Sequence, residues 1–479
     1  MKKLLWVMAA LFVSFAVSAQ NRDDKGRIII NSAEEFLKIG TTYSSSASYI
    51  QTANIDLGDK GRRNTPIITI FSGTYDGGGY TISYKATFLG TDHNDSHSGD
   101  YGLFGYVSGG TLKNMSVSGE VLMEAENGSP SNMNVALLCG HTVSGTTVDH
   151  CNVVGSVSTY INAENGGGAD AALLIGQADG TTVQYCMGSG NVVGVGWVGG
   201  LIGSGGHGSY DTVKACAFSG EVRALQPKDV NGNVSDDRVA YGWGAGYAGG
   251  IIGYAGKGGQ GADGDTTQGN LTVTIELCYV DADIYADNVA TGVASVAMRS
   301  GAALVKNCCT DGSIVKTANG VGEQNNLTNS TRVQNTYNAA GATVDSLEAI
   351  VAALNRGRAD GEKAEFDVVD GKIVLYLDGK PAEPCAAVTG LTISHVAPGS
   401  LTCSWTAGGS ETEWIVSISG GGLTEDITAH VTTTPNVQIT DNRLTASQSS
   451  YVLSVVAVCG GNRPNSTPAT LSFVISCPT

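Results

Sequence analysis

Proline is scarce in this chain, at 10 residues of 479, and charged residues make up only 15%. Neither shortage marks a disordered chain here, because apolar residues still account for 42% and recur in phase. Beyond the N-terminus no run approaches the eighteen or so consecutive apolar residues of a membrane helix. Basic residues are outnumbered 27 to 44, for a formal net charge of −17. Such a field repels phosphate backbones and anionic lipid heads, which argues against nucleic-acid partners. A serine elbow of the GxSxG type is missing, and His150 and His207 stand alone, so no catalytic triad suggests itself.

The N-terminus carries Lys2 and Lys3, an apolar run from Leu4 to Val17, and a small-residue exit at Val17-Ser18-Ala19. This is the pattern of a secretory signal peptide over residues 1–19, too short to span a bilayer and with no cysteine to take a lipid. The mature chain is therefore expected outside the inner membrane, in the periplasm, on the outer surface or beyond. Losing the two lysines takes the charge from −17 to −19 (−17 − 2).

What is abundant is glycine, 67 of 479 residues, about twice ordinary usage. It accompanies a repeat. The segments TLKNMSVSGEV, TVDHCNVVGSV, TVQYCMGSGNV, TVKACAFSGEV, TIELCYVDADI and LVKNCCTDGSI share one frame, with Met115, Cys151, Cys186, Cys216, Cys278 and Cys308 in one slot and Thr336 in a weaker copy. Five of the six intervals run from 28 to 36 residues, and that from Cys216 to Cys278 is doubled, at 62. Before the copies runs a second motif of small residue, aliphatics and glycine: GLFG ending at Gly105, ALLCG at Gly140, ALLIG at Gly176, GGLIG at Gly203 and GGIIG at Gly253, then a degraded GVAS at Ser295.

Units this small cannot bury their own apolar residues and must stack, pairing strands in parallel at about 4.8 Å per step. Cysteines in one slot would then have parallel Cβ vectors about 4.8 Å apart, beyond the roughly 3.5–4.5 Å of a disulfide. They are expected to be buried thiols. A zinc site is not indicated, because no histidine follows the cysteines at ligand spacing.

On these motifs, together with FSGTYDGGGYTI at 71–82, the chain resembles the GLUG-repeat proteins secreted or displayed by Bacteroides-type bacteria. The resemblance covers roughly residues 27–380 and implies architecture and location, not catalysis. It points to an all-β fold, a right-handed parallel β-helix (β-solenoid) over residues 20–380, with capping helices at IIINSAEEFLKIG and VDSLEAIVAALNRGR. In related IgA-cleaving peptidases the chemistry belongs to a separate zinc domain with HExxH, which this chain lacks.

From about residue 385 to 479 the repeats stop and six strand-like segments follow. Trp405 on the second and Tyr451 opening the last but one resemble a fibronectin type III β-sandwich, with the tyrosine as its corner residue; no RGD tripeptide occurs. Four cysteines here share no slot. Cys403 has the parity of Trp405 and Cys459 that of Tyr451, so on an assumed strand order a Cys403–Cys459 disulfide is expected, leaving Cys385 with Cys477. Other connectivities stay open.

Functional residues are expected where the repeat is interrupted, at about 223–246 and 254–270. The first insertion has Asp229, Asn231 and Asn233 spaced like the start of a calcium loop, but its glycine is misplaced and no closing glutamate follows. The second, GGQGADGD with Asp263 and Asp265, resembles one calcium-binding nonapeptide standing alone. No cofactor is expected unless calcium binds there. Trp197, Tyr241, Trp243, Tyr247 and Tyr254 gather aromatic faces of the kind sugars stack against; the plainer reading is corner packing. Asp149, Asp211 and Asp281 are not equivalent positions, so no carboxylate pair for a polysaccharide lyase or hydrolase is evident. The expectation is a non-catalytic, adhesin-like surface protein recognising a glycan or protein ligand. A polysaccharide-degrading enzyme and a structural stalk are the alternatives.

Overall fold

The structure, a computed structural model, describes residues 21–90, 99–125, 133–160, 169–206, 209–225, 246–256, 272–286, 289–294, 303–316, 332–379, 386–409, 411–432, 434–447, 449–458 and 465–476. It is all-β apart from short helices, and it divides into two compact units, Met1–Gly379 and Lys380–Thr479. No helix among the described residues is long and apolar enough to cross a membrane.

In the first unit the chain passes again and again through the same sheets. One sheet takes a strand of three or four residues from each pass, as at Thr111–Lys113, Thr147–Asp149, Thr182–Gln184, Asp211–Lys214, Val273–Glu276 and Ala303–Lys306. A second takes a longer strand, as at Thr81–Gly90, Ser116–Ala125, Asn152–Tyr160, Met187–Gly199, Ala217–Leu225 and Tyr279–Ala286. A third, six-stranded, runs from Ile68–Phe71 to Ile252–Ala255. Successive passes pair in parallel, and from Thr81–Gly90 onward the long strands keep one register, so that Val117 lies beside Val153, and Val157 beside Val192.

The cysteine motif marks the corner between the first two sheets. The residue before each cysteine slot is left-handed: Asn114, His150, Tyr185, Ala215, Leu277, Asn307 and Asn335 all have φ between 45° and 56°. This conformation costs roughly 1–2 kcal/mol for a residue with a Cβ. It is held by the ladder, since the amides of Asn114, His150, Tyr185, Ala215, Leu277 and Asn307 each donate to a carbonyl one pass on. Cys151, Cys186, Cys216, Cys278 and Cys308 follow as buried free thiols. Their shared slot is realised: Met187 N–H donates to Cys151 O, Ala217 N–H to Cys186 O, and Tyr279 N–H to Cys216 O.

At the N-terminal end Ser32 caps the helix Ala33–Phe36, and Phe36 packs edge-on to Tyr75 and Phe104. The second helix, Val344–Arg356, packs on the hairpin Glu365–Val369/Lys372–Tyr376. They lie along the row of left-handed corners, where Ala215 and Leu277 are fully buried in one cluster with Leu347, Val351, Leu354 and Phe366. Farther along the row Asn307 donates to Gly357 O, Asn335 to Ala353 O, and Tyr185 to Glu362. Apolar residues in the corner slot of two passes give this element its seat.

The second unit has two antiparallel sheets around one core. One contains Thr389–Ala397, Ser400–Thr406 and Asn436–Thr440; the other Ile427–Thr432, Glu413–Gly420, Tyr451–Ala457 and Ala469–Phe473. Leu401, Cys403 and Trp405 alternate inward from the first sheet and Tyr451, Leu453 and Val455 from the second. The Tyr451 hydroxyl donates to Thr445 O at 3.0 Å and accepts from Thr445 N–H at 3.2 Å. The expected Cys403–Cys459 disulfide is not made. Cys403 is a buried free thiol packed among apolar side chains, and burial pushes it up to about 11. Cys459, Cys385 and Cys477 lie outside the described residues.

Candidate functional site

Between the long strands and the six-stranded sheet the chain makes one further, very short strand: Asp100–Tyr101, Met133–Ala136, Ala169–Ala172, the end of Met187–Gly199, Tyr247–Gly249 and Val289–Thr291. The glycine–aliphatic motif is the turn that follows. Its last glycine is fixed by close approach, because a Cβ on Gly140 or Gly176 would lie 2.4 or 2.5 Å from the backbone nitrogen of Tyr101 or Val135 in the previous pass. The leucines before it are wholly buried.

In this short ladder one slot reads Asp100, Asn134, Asp170, Trp197, Tyr247 and Val289. Across the turn, a slot of the six-stranded sheet reads Tyr106, His141, Gln177, Ser204 and Tyr254. The two rows meet. Asp100 lies 3.6 Å from His141 Nδ1 and accepts from Asn134 Nδ2 at 2.7 Å. Ser204 donates its hydroxyl to Asp170. The Trp197 and Tyr254 rings stack at 4.1 Å and 13°, with Tyr247 edge-on to Tyr254 at 6.3 Å. Tyr106 stands edge-on to His141 at 5.4 Å.

Core slots repeat one chemistry, as in the cysteine row or in Leu112, Val148, Val183 and Val213. The strip does not. It runs from carboxylate and amide through imidazole to indole and phenol within a few strand spacings. Burial pushes the Asp170 carboxyl up to about 7, against the hydrogen bond from Ser204 and with added repulsion from Asp100. Asp100 and Asp170 occupy one slot two steps apart, about 9.6 Å. The sequence reading that carboxylates do not recur at matching slots is thereby corrected. The signal was present but displaced: Asp100 falls five residues before its motif glycine, Asn134 and Asp170 six before theirs.

Of the residues singled out in the sequence, Trp197, Tyr247 and Tyr254 are brought together. Tyr241 and Trp243 lie outside the described residues, as do the calcium candidates Asp229, Asn231, Asn233, Asp263 and Asp265. Among the described residues no group of three or more His, Cys, Asp and Glu is arranged to hold a metal. His150 is not isolated. Its ring contacts Asp149 at 2.8 Å and Asp378 at 3.4 Å and stacks on Tyr185, as a corner fastening for the hairpin.

The chain matches no family model and no curated protein. Among solved structures it is similar to a fibronectin type III domain of human collagen XX, at 19% identity over 20% of this chain and 99% of that one, with a TM-score of 0.17. It is similar also to the FN5 domain of Drosophila Lar, at 15% identity over 19% of this chain and 98% of that one, TM-score 0.16. A two-domain fibronectin type III segment of chicken tenascin gives 15% identity over 23% of this chain and 62% of that one, TM-score 0.17.

Proposed function

We propose that this chain is an exported, non-catalytic surface-binding protein, a right-handed β-solenoid of the GLUG-repeat type followed by a fibronectin type III-like sandwich. The observation that carries the reading is the strip from Asp100 to Tyr254. Packing asks for like residues in stacked slots, so a slot whose chemistry changes with every pass serves something other than packing. Its partly exposed members, Tyr106, His141, Gln177 and Tyr247, bring two phenol rings, an imidazole and an amide to the surface over the buried ones, and these suit the apolar faces and hydroxyls of a glycan. The strip also adjoins in sequence the insertion at about 223–246. Binding of the mature chain to a glycan array, compared with Tyr247→Ala and Trp243→Ala variants of unchanged melting temperature, tests this. At least tenfold weaker binding in either variant supports the reading, and a mature chain that binds no glycan defeats it.

A second reading, a polysaccharide hydrolase, is favoured by the Asp100/Asp170 pair, whose spacing falls near the range of inverting glycosidases. Against it stands burial, at 2% and 8% exposure. Release of reducing ends from host or plant polysaccharides, lost in Asp100→Asn, would replace the first reading with this one.

A further inference from the structure

Asn134 stands in the short ladder between Asp100 and Asp170, paired with both. A primary amide has one donor end and one acceptor end. The Nδ2 of Asn134 donates to Asp100, so Oδ1 is the end left for its other ladder neighbour, Asp170. That oxygen is buried, in a residue 5% exposed, and has no hydrogen-bond partner. An ionised Asp170 would offer it only acceptors, and turning the amide over would move the same conflict to Asp100. One hydrogen is missing from the count.

The neighbours decide where it sits. Asp100 accepts from Asn134 at one oxygen and has His141 Nδ1 3.6 Å from the other, so both of its oxygens face nitrogen neighbours. Asp170 is 8% exposed, and its hydrogen bond is from the neutral hydroxyl of Ser204. We propose that Asp170 is protonated in the native fold and donates to Oδ1 of Asn134, closing a hydrogen-bonded chain Asp100–Asn134–Asp170–Ser204 across four passes and making their junction pH-sensitive. Burial, which pushes this carboxyl up to about 7, acts in the same direction. On the strands packed around it the titratable groups are Asp100, His141, Asp179, the Cys139 thiol and the phenols of Tyr106, Tyr247 and Tyr254; Asn134, Gln177, Ser204 and Trp197 bring no charge.

A carboxyl whose folded-state pKa lies above its unfolded value contributes stability that is complete at low pH and is lost as pH rises through the folded value. The window here runs from the ordinary carboxylate range up to about 7. Asp170→Asn replaces the acid hydroxyl by a permanent donor and removes this dependence.

The test is guanidinium denaturation of the mature chain and of Asp170→Asn at pH 5.5 and 8.5. Relative to the variant, the unfolding equilibrium constant of the wild type is expected to rise on the order of thirtyfold between the two. An infrared pH-difference spectrum of the native wild type should show one carboxylic-acid carbonyl band lost near pH 7 and absent from the variant. Equal pH dependence in both proteins, no such band, or a variant that fails to fold at pH 5.5 would each overturn the proposal, because asparagine matches a neutral aspartic acid donor for donor.

Discussion

Replacing Gly155 by alanine tests the stacking directly. In the long-strand sheet Gly119, Gly155, Gly190 and Gly220 lie beside one another, with φ of 155°, 148°, 141° and 134°. A Cβ on Gly155 would stand 1.9 Å from the carbonyl oxygen of Gly119 and 3.1 Å from its nitrogen. Because Cβ is fixed to the backbone, no rotamer relieves this, and the strands would have to part by more than 1 Å. Forcing a residue with a Cβ into this conformation costs of order 1–3 kcal/mol, and each ladder bond lost adds about 1 kcal/mol. The sum is roughly 3–5 kcal/mol. Such a stack opens locally, so the assay is amide hydrogen exchange across Ser116–Ala125 and Asn152–Tyr160. At 1.4 kcal/mol per decade, exchange there should accelerate by roughly 100- to 4,000-fold. The control is Ala282→Gly at the slot next to Gly220, where alanine is native and the backbone is not left-handed; its cost should stay near 0.5–1 kcal/mol. Exchange in Gly155→Ala within threefold of wild type would refute the reasoning.

The remaining predictions concern thiols and the tyrosine corner. Cys139, Cys151, Cys186, Cys216, Cys278, Cys308, Cys309 and Cys403 are buried and free, so an aromatic disulfide reagent should leave them unmodified in the native chain. After denaturation without reductant at least these eight should titrate; fewer would mean covalent pairs among them. Tyr451→Phe removes a hydroxyl that both donates to and accepts from the Thr445 backbone and should destabilise the second unit by roughly 1–3 kcal/mol. A calorimetric loss below about 0.5 kcal/mol would show that the corner is not held by these bonds.

The sequence by itself determined the repeat frame and much of the packing. A residue type recurring every thirty or so positions must stack on itself if small units are to share a core. The cysteine row, the valine rows and the closing glycines of the aliphatic motif were therefore legible, and so was the alternation that turns Trp405 and Tyr451 inward in the second unit. Only the tertiary structure decided the features that depend on what lies across a corner. The left-handed residues before the cysteines range from asparagine to leucine, and only the helix and hairpin resting on them explain why Ala215 and Leu277 suit two of those places. Asp100, Asn134 and Asp170 form a row only when strands of slightly different motif spacing are laid in register. Their hydrogen-bond count, which leaves one acceptor without a donor, exists only where Asn134 is held between two carboxyls with water excluded.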